Sequence, residues 1–328
     1  MLRRLRRGGV VAAAVLTAGL TLTGCSTTSD EKSASGETIT VQTNSGSVQV
    51  PTRPQRVVVL DNTAAETVKA FGITPVAIPK QLFATEQLSD WTADDAVKDV
   101  GTHNEPKFDV IEDVDPDLII GGYRFSKYDD ELTKIADATG ASFIDVAASD
   151  DAEGGRVAAM IRQTETLGEI FGKQDQAAEI ITEFQTRLDA AKGAATGQRT
   201  FLAVVSGGKI DNGAKRISPF TGPLNLKDVF GGASGDLHQN SGLTPEAIAQ
   251  ANPEWVIVMD RDAVVKPEGE AKPKPAEQVF AAQEAFAGTT FADKGQIVYL
   301  DPAFYLREGI QSYGENYRHL ADVMGSTA

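Results

Sequence analysis

Phe108-Asp109-Val110-Ile111-Glu112-Asp113-Val114-Asp115-Pro116-Asp117-Leu118-Ile119-Ile120 aligns without a gap on Pro245-Glu246-Ala247-Ile248-Ala249-Gln250-Ala251-Asn252-Pro253-Glu254-Trp255-Val256-Ile257. In each copy a short helix opens with a carboxylate, stops at Asp or Asn before proline, and feeds an apolar run. Chance similarity within a common helix-Pro-strand unit is the plainer alternative, but the ungapped match over the whole unit favours two related lobes. Working outward, Val57 to Leu60, Ser142 to Val146, Thr200 to Val205 and Gln296 to Leu300 are further short, largely apolar runs separated by helical stretches. Their mostly continuous character fits strands buried on both faces of a sheet. The expected fold is α/β, with two similar lobes built on central, mostly parallel sheets, one long helix joining them and a cleft between.

The joining segment lies between the repeat copies. From Val157 to Ala194 apolar residues recur at helical spacing, with a break at Gly172. The second half, from Gln174, is expected to carry the chain from one lobe to the other as a stiff hinge that permits only a small rocking closure. Upstream, Glu37 to Thr43 and Val48 to Val50 flank Asn44-Ser45-Gly46-Ser47 as a β-hairpin would.

The first residues read as a targeting segment. Arg3, Arg4, Arg6 and Arg7 precede an apolar run from Gly8 to Leu22, which ends in Leu22-Thr23-Gly24-Cys25. The run is too short for a membrane span, which needs about 20 apolar residues. It fits a lipoprotein signal peptide at residues 1–24, exported by the Sec route, with Cys25 the lipidation site. The chain is then expected to be anchored by lipid on the extracytoplasmic face of the cell membrane. Cys25 is the only cysteine, so no disulfide is available to the domain beyond it. Residues 25–36 read as a polar tether, 37–160 as the N-terminal lobe, 161–195 as the helical link and 196–328 as the C-terminal lobe. Loss of residues 1–24 removes four arginines and no acid, so 27 bases face 46 acids, a charge of −19. So acidic a chain makes nucleic acid an unsuitable partner. A monomer is expected.

In open α/β sheets ligands bind beyond the carboxyl ends of the strands. Asp61 and Asn62 follow one run, Tyr123 and Arg124 another, and Lys209 and Arg216 a third. Arg261 follows Met259, and Tyr305 and Arg307 follow Leu300. Any one of these arginines reads equally well as a solvated surface residue. Together, in an acidic chain, they describe an anion-binding cleft with aromatic walls. Screening over roughly 8 Å leaves the local arginines in control of it.

Pro54-Gln55-Arg56-Val57-Val58-Val59-Leu60, Gly101-Thr102-His103-Asn104-Glu105-Pro106, Asp115-Pro116-Asp117-Leu118-Ile119-Ile120, Val258-Met259-Asp260-Arg261 and Tyr299-Leu300-Asp301-Pro302 with Tyr305-Leu306 resemble the helical-backbone periplasmic-type binding proteins of the iron-siderophore class. The resemblance runs from about Thr38 to Met324. The last two motifs, with His238, resemble the branch that binds ferric catecholates. It implies an ABC-importer binding protein that takes a ferric siderophore as ligand, holds no permanent cofactor and delivers the chelate to a permease. It further implies that Arg124, Arg216 and Arg261 face the anionic ligand. Tyr123 and Arg307 would lie nearby. His238 and Tyr305 would complete the iron sphere of a tetradentate siderophore, a chemistry that suits hard Fe(III) and phenolate oxygen. The same two residues also read as pocket walls. Asp109 and Glu246 match the acids that engage permease arginines, although an acid in a helix's first turn also complements the helix dipole. Two departures stand out. Asp109 replaces a more usual glutamate, and Phe304-Tyr305-Leu306-Arg307-Glu308-Gly309 replaces an aromatic-Tyr-Leu followed by small residues.

Other functions are less well supplied. There is no G-x-S-x-G elbow, Ser206-Gly207-Gly208-Lys209 lacks the upstream glycine of a phosphate loop, and three scattered histidines are few for a triad or a bare metal site. Haem, cobalamin or a hydroxamate siderophore remains open, because the same fold takes them. His103 lies in a loop that could also reach the cleft but reads better as a surface residue, and His319, in a polar terminal helix, reads as structural.

Overall fold

The computed structural model describes residues 37–231, 241–265 and 273–326. Strands β1 (Thr38–Thr43) and β2 (Gly46–Pro51) form the expected antiparallel hairpin. The first lobe's sheet contains β3 (Val57–Val59), β4 (Ala77–Ile78), β5 (Lys98–Asp99), β6 (Leu118–Gly121) and β7 (Ser142–Asp145), in the order β5-β4-β3-β6-β7 and parallel throughout. In the second lobe, β8 (Arg199–Ser206), β10 (Lys227–Asp228), β11 (Trp255–Asp260) and β12 (Ile297–Tyr299) run parallel in the order β10-β8-β11-β12. Strand β9 (Lys209–Asn212) is the exception, folding back antiparallel on β8.

The residues of Val57 to Leu60 and Phe201 to Val205 are almost completely shielded from solvent. This is the signature of strands covered on both faces, and each such Val, Leu or Phe side chain stabilises the fold by about 1.5–3 kcal/mol.

The sequence repeat is also a repeat in hydrogen bonds. The helices Phe108–Asp113 and Pro245–Ala251 lead into β6 and β11, which both sit inside their sheets. The residue before the proline is left-handed in both, Asp115 at φ 44° and Asn252 at φ 43°, a conformation that Asp and Asn tolerate better than most. Asp117 accepts from the backbone N–H of Gln55 and of Arg56, and Glu254, its counterpart, accepts from that of Arg199. Arg56 and Arg199 return the favour by donating to the last carbonyls of their repeat helices, at Val114 and Asp115 and at Ala251 and Asn252. One device thus sets the start of the neighbouring strand in each lobe.

The helices Gly155–Phe171 and Gln174–Ala194 meet at Gly172, which is left-handed at φ 64°. Leu167, Ile170, Phe171 and Ala177 join the core of the first lobe, whereas Phe184, Leu188 and Ala191 join that of the second. The helix Gln174–Ala194 is therefore embedded in both.

The lobes also touch across the cleft. Asn62, at the start of the helix Asn62–Ala70, donates to the carbonyls of Leu306 and Arg307 at 3.0 and 3.3 Å. Gly309 lies so close to the carbonyl of Thr63 that any Cβ would collide with it. The approach of the two lobes at this point depends on that glycine.

Candidate functional site

The strand ends expected to carry chemistry converge. Beyond β6 the chain passes Gly122, at φ 101°, where a Cβ would collide with the Asp145 carboxylate. This tight passage turns Tyr123 and Arg124 into the space between the lobes. From the other lobe come Arg216, Arg261 and Tyr305. The Tyr305 ring is the centre: the guanidinium carbons of Arg124, Arg216 and Arg261 lie 4.5, 4.8 and 5.5 Å from its centroid. Each such contact contributes on the order of 0.5–2 kcal/mol where water is excluded.

Arg124 donates to the Tyr305 hydroxyl and carbonyl at 3.3 and 2.7 Å. Arg216 donates to the Tyr123 hydroxyl at 3.2 Å, and Arg261 to the Ser206 hydroxyl at 3.1 Å. Arg124 and Arg216 are nearly buried. Burial raises the Tyr305 phenol, but Arg124, Arg216 and hydrogen bonds from Arg261 and Arg124 outweigh it and hold the phenol below its usual value. The neighbouring Tyr123 goes the other way, pushed up to about 12 by burial and Glu308 against the pull of three arginines. Two phenols that share the Arg124 and Arg216 guanidiniums thus differ in how readily they ionise, Tyr305 more readily than Tyr123.

A cavity of about 260 Å³ opens here, with Arg124, Arg261, Tyr305, His103, Leu82 and Val264 in its wall. A second cavity, about 280 Å³, lies between the β1–β2 hairpin and the helix Gly155–Phe171, but its wall sets Arg162 beside Glu165 and Glu169 and offers no concentration of positive charge. Charge and aromatic walls therefore select the first.

The structure brings Arg124, Arg216, Arg261, Tyr123 and Tyr305 together. It does not bring Arg307 with them. That side chain is almost fully buried and donates to Glu66 at 2.5 and 2.7 Å, to Asp301 at 2.7 Å and to Glu315 at 2.7 Å. A guanidinium withdrawn from water must find carboxylates, and these three claim it. Arg307 is an inter-lobe clasp. His238 and Cys25 lie outside the described residues. Asp109 and Glu246 both stand exposed in the first turns of the helices that open the two repeat copies. Glu246 is held below the usual carboxylate range by its own backbone N–H and by the Thr244 hydroxyl. Among the described residues no group of three or more His, Cys, Asp or Glu is arranged to hold a metal ion.

Three further residues join the site, of which Arg156 and Glu308 escaped the sequence reading. His103, read as a surface residue, lines the cavity. Burial, then Arg124, Lys127 and Arg216, push its imidazole below the usual value. Arg156 is buried with Asp150 at 2.9 Å and lies 5.7 Å from the Tyr123 ring. Glu308, fully buried, accepts from the Tyr123 hydroxyl at 3.0 Å and from Arg124 at 2.9 Å, with the Arg216 Nε at 3.4 Å. The only signal for Glu308 was its place in the segment that departs from the family pattern. A sequence cannot say whether an acid next to two arginines faces them.

Against this geometry the comparisons with known proteins fall into line. The chain is 28% identical over 298 residues to the petrobactin-binding protein YclQ of Bacillus subtilis, a match covering 87% of each. It is 37% identical over 128 residues to the probable siderophore-binding lipoprotein YfiY of the same organism, covering 37% of this chain and 39% of YfiY. The crystal structure of the periplasmic catecholate-siderophore binding protein VctP from Vibrio cholerae superposes with a TM-score of 0.74 at 26% identity, covering 88% of this chain and all of VctP. No helix among the described residues is long and apolar enough to cross a membrane. Residues 57–304, which hold both sheets and the strand ends around Tyr305, match the family described as periplasmic binding protein, and the chain belongs to that family.

Proposed function

We propose that this chain is the extracytoplasmic binding protein of an ABC importer, capturing a ferric siderophore of the catecholate type and presenting it to a permease. The observation that carries this reading is the set of three guanidiniums around the Tyr305 ring. Catecholate oxygens are anionic and their rings are flat, so charge and aromatic faces are both met. The names of YclQ and VctP support the same reading. His238 and Tyr305 are proposed to ligate iron where the siderophore supplies four donors, the low phenol value of Tyr305 favouring the phenolate. Iron is cargo here, and the protein holds no permanent cofactor and performs no chemistry on it. The sequence around Cys25 supports a lipid anchor, as does the naming of YfiY as a lipoprotein. The protein acts as a monomer.

The test is quenching of intrinsic fluorescence by a panel of ferric catecholate, hydroxamate and carboxylate siderophores, haem and a corrinoid. Saturable quenching by catecholates, weakened more for tetradentate than for hexadentate chelates in His238→Ala, is expected. Tight binding of haem, corrinoid or hydroxamate alone would move the assignment to that ligand, and no saturable response to any would end it.

A further inference from the structure

We propose that Glu308 sets the charge of the guest, biasing the cleft towards ferric chelates of lower negative charge than a cleft built on the same arginines without it would take. The inference rests on the reading of the cleft as a siderophore site and deepens it.

Glu308 is an unusual residue at its position. It ends the helix Phe304–Arg307 in the left-handed region at φ 50°, where a glycine would sit without strain, and it is completely buried. Tyr123, whose hydroxyl it accepts, is also left-handed, at φ 52°. Two residues held in an unfavoured backbone conformation thus meet across the cleft, and their meeting point is a carboxylate that pairs with both Arg124 and Arg216. Burial opposes its ionisation, yet Arg216, Arg124, Arg156 and the Tyr123 hydroxyl more than offset that and keep it charged.

The charge count follows. Arg124, Arg156, Arg216 and Arg261 face Glu308 and Asp150, which leaves a surplus of two positive charges among the described residues. Without Glu308 the surplus is three. An iron(III) complex of three catecholates carries three negative charges, of two catecholates a single one. Unmatched charge is costly in a space shielded from water, so the carboxylate moves the best match from the trianion towards guests of lower charge. Glu308 does not reach the guest itself. The cavity wall includes Arg124 and Arg261, and Glu308 is not part of it. Glu308 is a positioning residue that acts through the arginines.

The experiment compares wild type with Glu308→Gln using one tris-catecholate ligand loaded with Fe(III) or with Ti(IV). The two complexes share donors and shape and differ by one negative charge. Glu308→Gln is expected to raise affinity for the iron complex relative to the titanium complex by about tenfold, the size of a unit-charge interaction across the cleft at an effective dielectric between protein and water. A purely structural role would change both affinities by the same factor, and that result overturns the proposal. Glu308→Asn, a residue that tolerates the left-handed region, repeats the test should the glutamine variant fail to fold. If wild type binds neither complex nor any ferric catecholate, the siderophore reading itself falls and takes the proposal with it. Catecholate binding with an unchanged iron-to-titanium ratio in the variants sinks only the role of Glu308.

Discussion

Replacing Asp61 by Asn should make the protein more stable at neutral and alkaline pH while leaving it almost unchanged near pH 4. Asp61 is fully buried at the start of the helix Asn62–Ala70, where it accepts from the Thr63 backbone N–H at 2.8 Å, the Thr63 hydroxyl at 2.9 Å and the Gln163 amide at 3.0 Å. Burial dominates. The Thr63 hydrogen bonds pull its value down, Asp145 and Glu308 push it up, and it rises from 3.8 to about 7. The unfolded chain therefore releases this proton near pH 4 and the folded chain only near pH 7. Between those values the folded state holds the extra proton, so stability is full below the unfolded value and falls as pH rises through the folded one. The rise corresponds to about 4 kcal/mol in total. Asparagine keeps the cap and has nothing to ionise. Its oxygen can keep accepting from Thr63 as Asp61 does.

Urea unfolding, read by the fluorescence of the buried Trp91 in the first lobe and Trp255 in the second, measures the difference between variant and wild type. Groups that do not act on Asp61 cancel in that difference, which should grow from near zero at about pH 4 to roughly 4 kcal/mol in favour of the variant at about pH 8. A difference that stays flat across this range would refute the reasoning, whatever its sign.

Arg307→Met removes the clasp and strands Glu66, the most buried of the three acids, while Asp301 and Glu315 can rehydrate. A loss of about 3 kcal/mol in urea unfolding is expected, and an unchanged midpoint would show that the three ion pairs contribute nothing net. Asp109→Lys combined with Glu246→Lys should leave ligand affinity unaltered and lower uptake in cells, because both acids are exposed and neither lines the cavity at Tyr305. Normal uptake would exclude the docking role proposed for them.

Composition, periodicity and the internal repeat determined the α/β class, the paired sheets, the joining helix and the strand ends where the cleft arginines emerge. These are consequences of local rules: continuous apolar runs demand cover on both faces, and proline and Asp or Asn end helices wherever they fall. What the chain order could not decide is which buried charge meets which. Arg307 and Glu308 are neighbours in sequence, yet Arg307 points to Glu66 and two further acids while Glu308 points to Arg124 and Arg216. Glu66 lies 241 positions from Arg307 and Arg124 lies 184 from Glu308, and only the docking of one lobe on the other brings these two pairs within hydrogen-bond reach. For His103 the sequence left the surface and the cleft both open, and the tertiary structure put it in the same cavity wall as Arg124. Long-range pairing of buried ions follows from the cost of leaving any of them alone, and that cost is settled in three dimensions.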